Sequence, residues 1–186
     1  MQDLEFIKEY LNRYQKSLIE NDVSDSMIAM KKLLLKTRDK GKKVLIAGNG
    51  GSAAMASHVS VDLTKQAGIR SINFNEADLI TCFANDYGYE NWVAKAIEFY
   101  GDEGDVVILI SSSGKSPNMI NASIQAKSMN ITVITLTGFE QDNPLSQFGE
   151  LKFWVDSRAY NVIENIHQIW LLIVCDLILG KVEYSA

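Results

Sequence analysis

Apolar residues recur with a helical spacing near the start of the chain. Five of them stand three or four positions apart: Leu4, Ile7, Leu11, Tyr14 and Leu18. This spacing predicts an amphipathic helix over about 3–20. The same kind of pattern predicts a second helix over about 25–38, after polar residues suited to capping its first turn.

Short, mostly apolar runs follow, and segments with helical spacing separate them. The five runs lie at 43–47, 70–74, 105–110, 131–136 and 151–155. Strands this apolar are typical of a parallel sheet that helices cover on both faces. We therefore predict an α/β fold with a doubly wound, five-stranded parallel sheet. The commonest order for such a sheet is the flavodoxin-like 2-1-3-4-5.

A last helix is predicted over about 159–181, and it is apolar on most of its surface. Because a helix of this kind is usually covered by protein on all sides, we expect it to form a subunit interface. No repeat, linker or low-complexity segment divides the chain. We expect one domain over 1–186, with an N-terminal helical segment (1–40) and an α/β core (41–186).

Two loops rich in glycine and serine each follow a predicted strand and precede a helix. The first, 48–52, reads Gly-Asn-Gly-Gly-Ser, and the second, 111–116, reads Ser-Ser-Ser-Gly-Lys-Ser. Glycines permit tight turns, helix N-termini attract anions, and serine hydroxyls donate hydrogen bonds. The switch point of the sheet lies between strands 1 and 3, which carry these loops. We predict a phosphate held between them, and so a phosphorylated small molecule as ligand.

Three other interpretations of these loops stay open. Residues 48–53 fit a Gly-x-Gly-x-x-Ala dinucleotide fingerprint, but the expected acidic residue, Glu76, lies where a helix should begin. Residues 114–116 resemble the end of a P-loop, although Leu109 stands where that motif needs glycine. Each loop could also be an ordinary tight turn with a serine cap.

Composition and charge limit the partners of the chain. The 186 residues carry a net charge of −5, with a pI near 5.1. This balance argues against nucleic acid as a partner and requires that a phosphate be bound by local geometry. The longest apolar run, 169–179, is too short to span a membrane and contains Asp176. Cys82 and Cys175 lie in apolar stretches and are predicted to be reduced and buried, as in a soluble cytoplasmic protein.

Five segments, in this order along the chain, resemble the sugar isomerase (SIS) domain family, and within it the phosphoheptose isomerases. The segments are 48–52 with His58 six residues further on, 85–89, 104–106, 111–116 and 135–138. The resemblance implies a phosphorylated sugar as ligand and the conversion of sedoheptulose 7-phosphate to its aldose isomer for surface polysaccharide. It also implies a homotetramer with active sites between the subunits.

Moving a carbonyl group between two sugar carbons requires a base, and a donor or metal that stabilises the enediolate oxygen. The two histidines of the chain each share a helix face with an acidic residue. His58 stands four residues before Asp62, and His167 stands three residues after Glu164. These pairs are candidates for proton transfer, although either histidine could serve only in packing.

The resemblance assigns roles to further positions. Asp62 stands where the family has a catalytic glutamate, Asp86 where it has an aspartate near the sugar, and Glu164 where it has a glutamine. The family's substrate-binding positions fall on the two loops: Asn49, Gly50, Gly51, Ser52, Ser111, Ser112, Ser113 and Ser116.

The chain departs from the family at Leu172, where the family has its second catalytic histidine, a zinc ligand in metal-bound members. Leucine can neither transfer a proton nor bind a metal. Three hypotheses follow: His167 supplies the imidazole, Glu164 is the second proton-transfer group opposite Asp62, or the site binds without catalysis. The DnaA-initiator-associating protein is a regulator of that last kind. His58, Asp62 and Glu164 could also bind a divalent ion such as zinc, because nitrogen and oxygen ligands suit that metal.

Overall fold

One parallel sheet of five strands organises the computed structural model, which describes residues 2–183. The strands are β1 (Val44–Gly48), β2 (Ser71–Asn73), β3 (Val106–Ser111), β4 (Thr132–Thr137) and β5 (Leu151–Trp154). All neighbours pair in parallel, in the order β2-β1-β3-β4-β5. The predicted fold class and strand order are therefore confirmed.

Helices cover the sheet and precede it. Within residues 2–183 the α-helices are α1 (Asp3–Tyr14), α2 (Ser24–Asp39), α3 (Gly51–Lys65), α4 (Ala77–Tyr87), α5 (Trp92–Tyr100), α6 (Pro117–Ser128) and α7 (Tyr160–Leu179). The helix predicted over 3–20 is α1 continued by a π-helical turn at Gln15–Ile19, and a short 3₁₀ turn at Leu145–Phe148 precedes β5.

Two apolar layers lie on opposite faces of the sheet. Side chains of α2, α3 and α7 form one layer, and those of α5 and α6 form the other. Successive residues of β1 alternate between them, with Val44 and Ile46 in the first layer and Leu45 and Ala47 in the second. This two-sided burial explains why the strand sequences are almost continuously apolar.

Helix α7 has the length and composition of a membrane-spanning helix, with a mean hydropathy of 1.7 in its most apolar window. Eight of its residues are nevertheless buried in this chain, where the helix packs against α2 and α3. Ile173, on its outer side, is 42% exposed. The packing is that of a core helix, which explains its apolar character without a membrane.

The two cysteines have different surroundings. Cys175 is buried in α7, as predicted, and burial raises the pKa of its thiol to about 12. The prediction for Cys82 is wrong, because this residue is exposed on α4. Its apolar neighbours Ile80 and Phe83 pack against the second layer, which turns Cys82 outward on an amphipathic helix.

Candidate active site

The candidate site lies where β1 and β3 end side by side. Gly48 is paired with Ile110 in the sheet, so the two loops leave the same edge. The first loop leads into α3 and the second into α6, which begins with proline after Ser116. The unpaired N–H groups and the positive dipole ends of both helices therefore converge at this edge.

Glycine is required in the first loop for two different reasons. A Cβ atom at Gly48 would lie 2.6 Å from the Ser52 Cβ, so glycine allows the strand to pass close to the first turn of α3. Gly50 has φ of +55° and ψ of −121°, a conformation that side chains disfavour. Together the two glycines turn the chain sharply from the strand into the helix.

A cavity of about 110 Å³ lies between the loops. It is lined by Asn49, Ser52, Ile110, Ser111, Ser112, Ser113, Ser116, Tyr160 and Glu164. No lysine or arginine is among these described lining residues, so an anion here would be held by neutral donors and helix dipoles, beside the Glu164 carboxyl group. Because water occupies about 30 Å³ in the liquid, the volume suits a phosphate group, with the sugar extending outside.

The serine hydroxyls of the second loop are largely withdrawn from water. Ser111 and Ser112 are 4% and 5% exposed. The Ser111 Oγ lies 3.0 Å from the Ser116 Oγ, and Ser116 makes no side-chain bond to its own helix. Within residues 2–183 the buried Ser112 Oγ has no hydrogen-bond partner. Such a hydroxyl costs about 1–3 kcal/mol, a cost that a bound oxyanion would relieve.

Glu164 reaches the cavity from the second turn of α7. Its carboxylate lies so close to Gly51 that a Cβ atom there would overlap it, with the Glu164 Cδ only 2.9 Å away. Burial raises the pKa of the Glu164 carboxyl, because removing it from water disfavours the charged form. A carboxyl group with a raised pKa is suited to donate a proton.

His58 and Asp62 lie further along α3. The His58 Nε2 is 3.4 Å from the Asp62 Oδ2, and its Nδ1 is 3.1 Å from the Gln168 Nε2 on α7. When the Gln168 amide donates to Nδ1, the Nε2 carries the proton that faces Asp62. Gln168 was not predicted as a site residue from the sequence, although it stands four residues after Glu164 on the same helix face.

His167 is fully buried and is not among the residues that line the cavity. Its Nε2 lies 3.0 Å from the Thr137 carbonyl oxygen, and burial lowers the pKa of the imidazole to about 4. A neutral ring therefore donates to the end of β4. The next residue, Gly138, donates its N–H to the Ser112 carbonyl oxygen at 2.9 Å. His167 therefore holds the end of β4 beside the residue that is hydrogen-bonded to the second loop.

Two further predicted positions lie outside the cavity lining. Asp86 is exposed near the end of α4, where its Oδ1 accepts a hydrogen bond of 2.8 Å from Asn85. Leu172 is half-buried against the apolar layer formed by α2, α3 and α7. The end of α7 beyond Gln168 therefore presents an apolar side chain where the resemblance implies an imidazole.

Residues 2–183 contain no group of three or more histidine, cysteine, aspartate or glutamate side chains that could hold a metal ion. The structure brings His58 beside Asp62 but does not bring Glu164 into the same cluster. These donors therefore do not fit a three-ligand zinc site within one chain.

Comparisons with known proteins agree with this geometry. A family model described as SIS domain matches residues 5–138. The phosphoheptose isomerase of Sulfurimonas denitrificans is 32% identical over 183 residues, 93% of each chain. That of Fusobacterium nucleatum is 37% identical over 142 residues, 74% of this chain and 73% of the relative. A phosphoheptose isomerase structure from Francisella tularensis superposes with a TM-score of 0.89 at 27% identity, covering 97% of this chain and all of that one.

Proposed function

Because the chain belongs to the SIS domain family and, within it, to the phosphoheptose isomerases, we propose that it isomerises sedoheptulose 7-phosphate to glycero-manno-heptose 7-phosphate. The reaction is an intramolecular oxidation and reduction between C1 and C2. Its product would supply heptose for surface polysaccharide, and the enzyme would act in the cytoplasm.

The observation that carries the proposal is the cavity lined with serine hydroxyls between the two helix N-termini. The buried, unpaired Ser112 Oγ supports an oxyanion as its occupant. In this proposal the phosphate is bound by Ser52, Ser111, Ser112 and Ser116 and by the N–H groups of the first loop. The serine hydroxyls and the helix dipoles then bind a dianion, as at other helix N-termini, and Glu164 is the one carboxyl group in the described lining.

We assign proton transfer to Asp62 and His58. Asp62 removes the C1 proton of the ketose as a base and returns it to C2, and the electron pair released from the C–H bond forms the enediolate. His58, whose Nε2 lies 3.4 Å from the Asp62 Oδ2, donates a proton to the developing enediolate oxygen and regains one from the neighbouring hydroxyl. Glu164 lies at the phosphate end of the site, where burial raises the pKa of its carboxyl. His167 has no part in proton transfer, because its imidazole is buried and does not line the cavity.

The separation of these groups favours a long substrate. Ten residues of α3 separate Ser52 from Asp62, which corresponds to about 15 Å along the helix. A sugar whose phosphate occupies the cavity must therefore extend along α3 to bring its carbonyl end towards Asp62. Asp86, exposed near the end of α4, is proposed as a contact for the sugar hydroxyls.

We also propose a homotetramer. Helix α1 has no buried residue, and its apolar face is exposed in the isolated chain. Leu4, Phe6, Ile7 and Leu11 are each more than half exposed. A contiguous apolar face of this kind marks a protein contact, and a second copy of the chain would cover it. Sedimentation of the purified protein measures this directly.

The test is deuterium exchange with sedoheptulose 7-phosphate in deuterium oxide. The wild type should incorporate deuterium beside the carbonyl group, and Asp62→Asn should lose this activity while still binding the substrate. Asp39→Asn, which changes an exposed carboxylate far from the loops, is the matched control. Tight binding by the wild type without exchange would refute the isomerase and favour a phosphosugar-binding regulator, for which Leu172 is the motivating observation.

A further inference from the structure

The side chain of Asn49, in the first loop, is held by two residues outside that loop. The Asn118 Nδ2 donates to the Asn49 Oδ1 at 2.8 Å, and the Asn49 Nδ2 donates back to the Asn118 Oδ1 at 3.0 Å. The Tyr89 hydroxyl donates to the same Asn49 Oδ1 at 3.1 Å. Three of the hydrogen-bonding positions of this amide are therefore used within the protein.

A third connection closes the network. The Asn121 Nδ2, one turn further along α6, donates to the Glu90 carbonyl oxygen and to the Asn91 Oδ1, each at 3.0 Å. The segment 88–91 joins α4 to α5 and also carries Tyr89. The first loop, the helix that follows the second loop, and this segment are thus bonded pairwise to one another.

The position of Asn49 decides where the first loop points. Its carbonyl oxygen accepts the Ser52 N–H at 3.0 Å, which begins the first turn of α3. Gly50 and Gly51 lie between these two residues, so their N–H groups follow the orientation of Asn49. Asn118, at the start of α6, is 1% exposed, so its amide depends on this pairing for hydrogen bonds.

We propose that Asn118 and Tyr89 are positioning residues of the phosphate site. They act through Asn49, and they set the gap between the two loops that enclose the cavity. Neither is among the residues that line the cavity. The proposal rests on the proposed function only in taking the cavity as the phosphate site.

The same network lies close in sequence to the proposed sugar contact. Asp86 stands in the last turn of α4, three residues before Tyr89 and just before the segment that the network ties to the first loop. Tyr89 is 55% exposed, and its ring packs beside Trp92 with centroids 6.4 Å apart. Its hydroxyl can therefore be removed without opening the core.

The test compares Tyr89→Phe and Asn118→Ala with two controls outside the network. Tyr87→Phe changes a tyrosine two residues before Tyr89, and Ser128→Ala changes the last residue of α6. The probes are inorganic phosphate, by calorimetry, and sedoheptulose 7-phosphate, by kinetics. Tyr89→Phe should weaken phosphate binding about two- to tenfold, as one lost hydrogen bond requires. Asn118→Ala should weaken it about five- to hundredfold, because it leaves the Asn49 amide unpaired.

A positioning role also predicts that the variants change KM much more than kcat. Both variants should raise KM in parallel with the dissociation constant of phosphate, with kcat changed less than twofold. Because both act through Asn49, the double variant should bind phosphate no more weakly than Asn118→Ala alone. A merely destabilised protein would lose kcat through loss of folded enzyme and leave KM unchanged.

Each outcome decides between the proposals. If Tyr89→Phe binds phosphate as tightly as Tyr87→Phe does, the positioning role is overturned. Because Tyr89 is exposed, Tyr89→Phe provides this test even if Asn118→Ala fails to fold. A wild type that binds phosphate without isomerising the sugar would refute the isomerase but leave the positioning role supported by the affinities. A wild type that binds neither probe would overturn both.

Discussion

The buried imidazole of His167 makes the stability of the protein depend on pH. Its pKa is lowered to about 4 in the folded chain, from 6.5. Between these values the unfolded chain binds a proton that the folded chain does not, so stability falls as the pH falls. The full shift corresponds to about 3 kcal/mol, and lowering the pH from 7 to 5 should cost about 2 kcal/mol.

Urea unfolding of the wild type and of His167→Gln, at pH 7 and pH 5 and at one protein concentration, measures this contribution. Glutamine keeps an N–H for the Thr137 carbonyl oxygen but does not titrate. The carboxylates titrate in both proteins, so their contribution cancels in the comparison. The wild type should lose about 2 kcal/mol more than the variant between the two pH values. Equal losses would show that His167 is not buried in its neutral form.

Gly51→Ala should displace the Glu164 carboxyl, which a Cβ atom would overlap, and raise KM about tenfold through the phosphate site while shifting the melting temperature by only a few degrees. In a Glu164→Ala background the same change should have no further effect on KM. Gly114→Ala should cost about 2–4 kcal/mol in urea unfolding, since Gly114 has φ of +64° and a Cβ atom would overlap the buried Asn143 amide. Unchanged stability would place that amide elsewhere. Leu172→His should cost about 1–3 kcal/mol, because it removes an apolar side chain from the core, and should raise zinc affinity by calorimetry. Zinc binding equal to the wild type would show that position 172 does not face the His58–Asp62 pair.

The fold was predictable because its signals are local and strong. Strands covered on both faces must be almost wholly apolar, and their regular separation by helical segments leaves few topologies. The loops were predictable for a related reason. Gly48 and Gly50 are required by a close approach and by an unusual backbone conformation, both of which restrict the residue type. The predicted strand order alone then places both loops at one crevice.

The roles of individual side chains were less predictable, because they depend on packing between elements distant in sequence. Helical spacing places His167 one turn from Glu164 but does not distinguish a buried ring from one that faces a cavity. The prediction that Cys82 is buried was wrong for the same reason. Apolar neighbours in a helix that is covered on one face only do not determine which way the Cys82 side chain points. The pairing of Asn49 with Asn118 joins residues 69 positions apart, and neither residue alone signals it.

The departures from the family that the resemblance implies lie on one face of α7 and are compatible with one another. Glu164, Gln168 and Leu172 follow at intervals of four residues, and the first two face Gly51 and His58 of α3. The chain therefore has an ionisable group at the cavity end of this face and an apolar one at the far end, where Leu172 packs into the core. A carboxyl beside the phosphate site is tolerable when it is protonated, and its burial favours that form. Because the resemblance implies glutamine at position 164 and histidine at position 172, the change to Glu164 and Leu172 keeps one ionisable side chain at these two positions and places it two turns nearer the loops.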